Sequence, residues 1–296
     1  MVAGGHVFDH VRTGAAIGMK VEECIVSVER RSFGSCLDLA FVFAREFAGP
    51  LFRLWLLCAM PSCAIVWLIV SAGTDMLVPS LMVFMFFSAI FNSLLVACMG
   101  PQVFGVPISV QSAIRAWRKR FWSWLLLTFV ARFFQFISGF CLIIPSVFVT
   151  AFCGHFPEVL LLEQTPISNV VSRLNWLSGG GGYSRNLGRV LSLFLYWGIM
   201  SFGLFLMIDL ISTLMFNRPI FFAILFEGSR DGRDVFLQLT HDDPAFLTTI
   251  QLALWLPYPI IRLCWFFCYL DQRIRNECWD LQLQYRAEAS RLEDLA

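Results

Sequence analysis

The stretch MLVPSLMVFMFFSAIFNSLLVACMGPQVFGVPISVQSAI, residues 76–114, contains no Asp, Glu, Lys or Arg. A helix that crosses a bilayer needs about 20 predominantly apolar residues, so this run is long enough to cross one. The whole chain has the same character: 58% of its 296 residues are hydrophobic and 15% are charged. A soluble domain carries about 25% charged residues. The composition therefore predicts a multi-pass membrane protein, with the lipid bilayer as its first partner.

The charge balance and the cysteines argue against several other classes of protein. The formal net charge is +1 and no basic block or RNA-binding aromatic motif occurs, so nucleic acid is not an expected partner. The ten cysteines lie mostly inside apolar runs and never form CxxC, which indicates buried free thiols. Residues 1–30 hold four acidic side chains and no apolar core, so no cleavable signal peptide is expected.

Six apolar runs are predicted to be membrane-spanning helices. They cover residues 51–71, 77–99, 121–142, 143–162, 190–214 and 245–270, and the fourth is the shortest and least regular. The predicted fold class is all-α. The predicted domain organisation is a partly disordered cytoplasmic segment at 1–30, a six-helix membrane domain at 31–286, and a cytoplasmic tail at 287–296.

The basic residues of the short loops predict the orientation of these spans. The loop RAWRKR at 115–120 holds four basic residues, and the loop at 163–189 holds Arg173, Arg185 and Arg189. The alternate loops, at 71–75 and at the turn near residue 143, hold none. Loops rich in Arg and Lys stay in the cytoplasm, and an even number of spans returns the chain to its starting side. We therefore expect a protein of the cytoplasmic membrane with both termini in the cytoplasm.

Amphipathic helices are predicted at both ends of the membrane domain. In the first, RSFGSCLDLAFVFAREFAG at residues 31–49, apolar side chains recur at helical spacing: Phe33, Leu37, Ala40, Phe41, Ala44 and Phe47. Such a helix should lie along the inner membrane face and lead into the first span. The C-terminal helix continues the sixth span, without Gly or Pro, from Trp265 into DQRIRNECWDLQL, and it should therefore be unbroken.

Three stretches resemble one bacterial family. They are RSFGSCLDLAFVFAREFAGPLFRLW at 31–55, IIPSVFVTAFCGHFPEVLLLEQTPISNVVSRLNWLSGG at 143–180, and CYLDQRIRNECWDLQLQYR at 268–286. They are similar to segments of the six-helix membrane domains that are fused to some glycerophosphodiester phosphodiesterases and otherwise stand alone. The last stretch is the most specific match, since its charged residues fall at the family's spacing: Asp271, Arg273, Arg275, Glu277 and Asp280.

The resemblance implies an architecture and a place in the cell. It implies six transmembrane helices in the bacterial cytoplasmic membrane. It implies no enzyme activity, because this membrane domain is not the catalytic part of the phosphodiesterases and no phosphodiesterase domain occurs here. The chain departs from the family pattern at Ser35, where an acid is common, and at Cys278 and Trp279, where glycine and an aromatic residue are usual.

Four polar residues inside the predicted spans form the first candidate site. Polar side chains inside a membrane cost about 2.5–3.5 kcal/mol each on insertion scales, so they need a reason. Arg132 and Arg262 lie in the third and sixth spans, and His155 and Glu158 lie one helical turn apart in the fourth. In one interpretation Glu158 pairs with either arginine and His155 bonds a backbone carbonyl. In another, the two arginines bind an anionic lipid headgroup or small anion, because the guanidinium fork matches phosphate and carboxylate. A metal site at the His155 and Glu158 pair would need further ligands, and none is expected.

The charged C-terminal helix is the second candidate site. Asp271, Arg273, Arg275, Glu277 and Asp280 could dock a membrane or cytoplasmic protein, or could be a solvated helix held by weak i,i+4 pairs. No HExxH or GxSxG motif occurs, and no enzyme activity or cofactor is expected. These features favour a non-enzymatic structural or partner-binding subunit. The alternative is a transporter or lipid- and anion-handling protein that uses the arginines inside the membrane.

Overall fold

The computed structural model describes residues 30–73, 77–103, 110–141, 143–179, 181–217 and 244–277. Within these ranges the chain forms eleven helices and no strand, so the all-α prediction is confirmed there. The helices are α1 (Phe33–Glu46), α2 (Ala48–Ser71), α3 (Leu77–Val103), α4 (Val110–Lys119), α5 (Phe121–Cys141), α6 (Ile143–Cys153), α7 (Phe156–Leu161), α8 (Ile167–Ser178), α9 (Gly182–Phe216), α10 (Pro244–Trp255) and α11 (Tyr258–Glu277).

Four helical segments are long and apolar enough to cross a bilayer. They are Ala48–Ser71, Leu77–Gln102, Gly182–Phe216 and the α10–α11 segment Pro244–Glu277. The mean hydropathy of an 18-residue window in each is 2.1, 2.2, 2.0 and 1.4. The chain is therefore a multi-pass membrane protein, as its composition predicts. The predicted third and fourth spans contain the shorter apolar segments Phe121–Ile137 and Pro145–Leu161. The count of six spans stays a prediction.

The fourth predicted span is two helices rather than one. α6 ends at Cys153, and α7 begins at Phe156 with Pro157 in its first turn. Proline has no N–H and fits the start of a helix better than its interior. His155 therefore lies at the helix break, next to α7 rather than one turn before Glu158 on a continuous face. The fifth span also differs, because its helix begins at Gly182, eight residues before the predicted residue 190.

The sixth span contains a break, and aromatic side chains from other helices donate hydrogen bonds to the backbone carbonyls there. Pro259 has no N–H to donate to the carbonyl of Trp255, four residues earlier. That carbonyl accepts a hydrogen bond from the indole Nε1 of Trp55 at 2.8 Å, and the Leu254 carbonyl accepts one from Trp197 Nε1 at 3.0 Å. A membrane protein must satisfy its backbone polar groups internally, and the two indoles do so here. After the break α11 is unbroken as far as Glu277, as predicted; its predicted extension lies outside the described residues.

The N-terminal helix α1 packs on α11. Its buried residues are Cys36, Ala40 and Phe43, and the ring of Phe43 meets the ring of Phe267 edge-on with centroids 5.5 Å apart. Phe41 of the predicted apolar stripe is 43% exposed and lies outside this contact, so its shielding by lipid stays a prediction. Small side chains at 36 and 40 let the two helices approach, so the buried face is rotated toward them. This contact brings the start of α1 beside the end of α11.

Candidate functional site

Glu158 and Arg262 form an ion pair in the interior of the helix bundle. Nη2 of Arg262, on α11, lies 2.6 Å from Oε1 of Glu158, in the first turn of α7. The Glu158 carboxylate is fully buried, and the Arg262 guanidinium is nearly so. The pairing expected between Glu158 and one of the two arginines thus forms with Arg262. It connects the short helix α7 to the long helix α11.

His155 has a different environment from the one predicted. Its imidazole stacks on the indole of Trp265, with ring centroids 4.1 Å apart and planes inclined by 9°. Trp265 Nε1 in turn donates to the carbonyl of Gly154 at 3.1 Å. Neither ring nitrogen of His155 has a hydrogen-bond partner among the described residues, so the expected bond to a carbonyl is absent there. Stacking, rather than hydrogen bonding, positions this side chain.

Arg132 does not pair with the Glu158 carboxylate, which binds Arg262. Its Nη1 donates to Oε1 of Gln135 at 3.0 Å, and its Nη2 donates to the hydroxyl of Ser88 at 3.2 Å. Within the described ranges no carboxylate lies within ion-pair distance of Arg132. Three of the four predicted residues are therefore close together around α7 and α11, and the hydrogen bonds of Arg132 join it to Ser88 of α3 and Gln135 of its own helix α5.

Asp271 of the C-terminal helix is buried and binds three parts of the chain. Its carboxylate forms an ion pair with Arg189 of α9 and accepts from Nε of Arg275 at 2.9 Å. It also accepts from the backbone N–H of Arg31 at 2.8 Å, just before α1. Nη2 of Arg275 donates back to the Arg31 carbonyl at 2.8 Å. These bonds hold α1, α9 and α11 together at one end of the bundle.

A second charged cluster joins the same end of α11 to α8. Arg173 of α8 lies 2.6 Å from Glu163 and pairs with Glu277, which Arg273 also contacts at 2.8 Å. Glu163 accepts from the Tyr269 hydroxyl at 2.5 Å. Burial alone would lower the pKa of Arg173, but hydrogen bonds to the two carboxylates outweigh it and raise that pKa above its ordinary value. The two carboxylates therefore favour the charged form of Arg173.

Four of the five residues in the predicted docking helix thus contact other parts of this chain. Asp271 is buried, whereas the side chains of Arg275 and Arg273 are 28% and 16% exposed. Asp280 lies outside the described residues. Docking by this helix stays a prediction, and a partner would approach the partly exposed guanidinium groups rather than the carboxylate of Asp271.

Sequence reasoning missed a cleft at this end of the bundle. Four arginines line the cleft: Arg31, Arg185, Arg189 and Arg275. Its other lining residues are Ser32, Phe33, Gly188 and Ser192. Its volume is about 380 Å³. In the sequence-based prediction, Arg185 and Arg189 count only among the basic residues of the loop that indicates the orientation of the spans. Their i,i+4 spacing, with Ser192 a further turn on, is the signal that places all three on one helix face.

Comparison with known proteins gives no match: no protein-family model, no curated protein and no solved structure is similar to this chain. The resemblance of its three stretches to a bacterial membrane-domain family stays a prediction.

Proposed function

We propose that the chain is a non-enzymatic structural or partner-binding subunit with six spans in a bacterial cytoplasmic membrane and both termini in the cytoplasm. The observation that carries the non-enzymatic role is the pairing of three carboxylates with arginines elsewhere in the fold. Glu158 binds Arg262, Asp271 binds Arg189, and Glu163 binds Arg173. The bacterial location is supported only by the resemblance of the three stretches.

The pairing of these carboxylates argues for a structural role. A general acid or base must face a substrate and change its protonation during the reaction. Glu158 and Asp271 instead contact arginines within the fold, and each contact joins two helices that are distant in sequence. Such pairs stabilise one arrangement of the bundle. Breaking a buried pair by removing one partner costs about 3–5 kcal/mol.

Contacts between charged segments of the chain support the proposed topology. The basic loop after α4 contacts the loop after α7, since Nη1 of Arg120 donates to the carbonyls of Leu160 and Thr165 at 3.3 and 3.1 Å. The loop after α7 is linked to the end of α11 through Glu163. The end of α11 binds the segment before α1 through Asp271. Segments predicted to be cytoplasmic thus form one connected set.

The lengths of the two shorter apolar segments support six spans rather than four. α5 has 21 residues, and at about 1.5 Å per residue it is about 32 Å long. α6 and α7 have 11 and 6 residues, which gives about 26 Å of helix before the break between them is added. The hydrocarbon core of a bilayer is about 30 Å thick, so both segments can cross it.

The experiment compares variants that lack one charge, at Glu158 or at Arg262, with the double variant that lacks both. A structural pair predicts that Glu158→Gln or Arg262→Met alone lowers the unfolding temperature in detergent, and that the double variant recovers much of the loss. Wild-type proteoliposomes should show no protein-dependent uptake of radiolabelled phosphate. Uptake by the wild type that disappears in a folded double variant would contradict the structural role and favour transport.

A second candidate function, lipid or anion handling inside the membrane, is supported by Arg132. This guanidinium donates to two neutral side chains, Ser88 and Gln135, so an anion could compensate its charge. Thermal unfolding in dodecyl maltoside, with and without added phosphatidylglycerol, tests this role. It predicts that the lipid raises the unfolding temperature of the wild type more than that of Arg132→Gln. Equal shifts in the two proteins would eliminate it.

A further inference from the structure

We propose that the cleft between the start of α1, the first turns of α9 and the end of α11 binds a phosphate group at the cytoplasmic membrane surface. This site is separate from the residues inside the spans. It does not depend on the structural role proposed above, but its cytoplasmic side rests on the proposed orientation. Its ligand class is a phosphate ester, which could be an anionic phospholipid headgroup or a free phosphorylated compound.

Positively charged side chains outnumber negatively charged ones around the cleft. Arg185, Arg189 and Arg275 contribute three guanidinium groups, and Asp271 is the carboxylate that contacts two of them. Arg185 has no ion-pair partner among the residues that the structure describes. Three positive charges against one negative charge leave an excess of two from these side chains alone. An anion with two or more acceptor oxygens would complement this excess.

Asp271 also orients two of the arginines before any ligand arrives. Arg189 binds Asp271 and donates from Nη1 to the Cys268 carbonyl at 3.1 Å. Arg275 binds Asp271 and donates from Nη2 to the Arg31 carbonyl at 2.8 Å. Each guanidinium has five N–H groups, so these bonds leave donors for a ligand. Side chains that are already fixed lose less conformational entropy on binding.

The position of the cleft along α9 favours a ligand at the membrane surface. Arg185, Arg189 and Ser192 lie in the first three turns of this helix. Large apolar side chains that face outward begin at Leu191 and Leu195, which are 58% and 63% exposed. The cleft therefore lies where α9 changes from polar to lipid-facing, which is the level of phospholipid phosphates. A bound lipid could place its phosphate on the arginines and its acyl chains along the apolar face.

Gly188 offers a way to block the cleft without changing its charge. A Cβ built at Gly188 would meet no other atom within 4 Å, so a larger side chain there should fill the cleft without a clash. Gly203 has the same open surroundings, about 22 Å further along α9 at about 1.5 Å per residue. The two substitutions Gly188→Leu and Gly203→Leu make the same change in the same helix, but only the first lies in the cleft.

The test is isothermal titration of the full chain in dodecyl maltoside, a detergent without phosphate. The titrants are dioctanoyl phosphatidylglycerol, glycerol phosphate and inorganic phosphate. We expect saturable binding that Arg185→Gln weakens by about tenfold, the loss expected for one charged hydrogen-bonding partner. Gly188→Leu should weaken it too, because its side chain occupies the cleft. Gly203→Leu and Arg118→Gln, an exposed arginine on α4, should bind like the wild type.

The titrants distinguish the two sources of the phosphate. Tighter binding of dioctanoyl phosphatidylglycerol than of glycerol phosphate, by tenfold or more, assigns the cleft to a membrane lipid. Equal or tighter binding of the two small phosphates assigns it to a soluble compound. Absence of binding by all three titrants would overturn the proposal. Binding that neither Arg185→Gln nor Gly188→Leu weakens would overturn it as well.

Discussion

Gly154 is a residue at which the packing of the bundle leaves little room for a side chain. A Cβ at this position would lie 2.5 Å from the Thr150 carbonyl oxygen and 2.8 Å from the indole of Trp265. We expect Gly154→Ala to destabilise the protein by about 1–3 kcal/mol, the usual cost of overpacking, because the backbone and the indole must move apart. Thermal unfolding in detergent measures the change.

The matched control for this substitution is Gly203→Ala on α9. No atom lies within 4 Å of a Cβ there, and alanine is the better helix former by about 0.5–1 kcal/mol. Gly203→Ala should leave the unfolding temperature unchanged or raise it. If Gly154→Ala behaved like this control, the close approach of Trp265 to the helix break would be wrong.

At the scale of single residues, part of the candidate site could be predicted from the sequence. A carboxylate and an arginine inside apolar runs must find partners, and this requirement predicts the pairing of Glu158 with Arg262 or Arg132. The choice of Arg262 could not be predicted, since it depends on how α7 packs beside α11. The same holds for His155, whose stacking partner Trp265 lies 110 residues further along the chain.

The break between α10 and α11 makes a prediction at the scale of the helix. Replacing Trp55 by Phe removes the donor to the Trp255 carbonyl, which has no other partner in its own helix because residue 259 is proline. An unsatisfied buried polar group costs about 1–3 kcal/mol, so Trp55→Phe should lower the unfolding temperature in detergent. Trp67→Phe, an exposed position on the same helix α2, is the control and should have little effect.

The sequence predicts a continuous sixth span, whereas the structure has a break between α10 and α11. The sequence alone does not show how such a break is stabilised. Pro257 and Pro259 lie at the break, so its signal is visible in the stretch LPYPI. A break inside a membrane is acceptable only if other helices satisfy the freed carbonyls. Trp55 of α2 and Trp197 of α9 do so, and no local pattern indicates these long-range bonds. A loss of stability in Trp67→Phe as large as in Trp55→Phe would contradict their role.

The contact between α1 and α11 gives a second prediction at this scale. Asp271→Asn removes the charge that binds Arg189 and Arg275, and it weakens the acceptor for the Arg31 N–H. We expect α1 to detach more often, which exposes Cys36, a residue that is fully buried in the wild type. The measurement is the rate of maleimide labelling at Cys36, located by peptide mass spectrometry.

The control for this experiment is Asp38→Asn, on an exposed face of α1. That substitution removes one carboxylate from the same helix without touching the Asp271 bonds. Labelling of Cys36 should stay as slow as in the wild type. Equal labelling rates in Asp271→Asn and the wild type would show that α1 is held by its apolar contacts with α11 alone.

For the whole molecule, orientation is the first prediction. We expect reporter fusions after residue 74 to be external, and fusions after residues 118, 184 and 295 to be internal. The physical reason is the excess of arginine and lysine at 115–120 and 163–189, which resists translocation across the membrane. An external reporter after residue 184 would contradict the proposed orientation.

Composition and loop charge predict the class and the orientation of the chain, but not the arrangement of its helices. The hydrophobic runs indicate a membrane protein before any helix is placed. The arginine cleft, in contrast, exists only because the start of α1 packs beside α11 and α9. Arg31 and Arg275 are 244 residues apart in the chain, and their meeting is a property of the tertiary fold.

The number of spans is tested most directly at the turn between α5 and α6. A bundle with four spans, in which α5 to α7 enter and leave the membrane on the cytoplasmic side, would give the same reporter results at residues 118 and 184. The two topologies differ at residue 142. The measurement is labelling of Leu142→Cys in intact cells by a membrane-impermeant maleimide, with the parent chain as the background. Six spans predict labelling above that background, at the external face. Labelling only after the cells are permeabilised would contradict the six-span account.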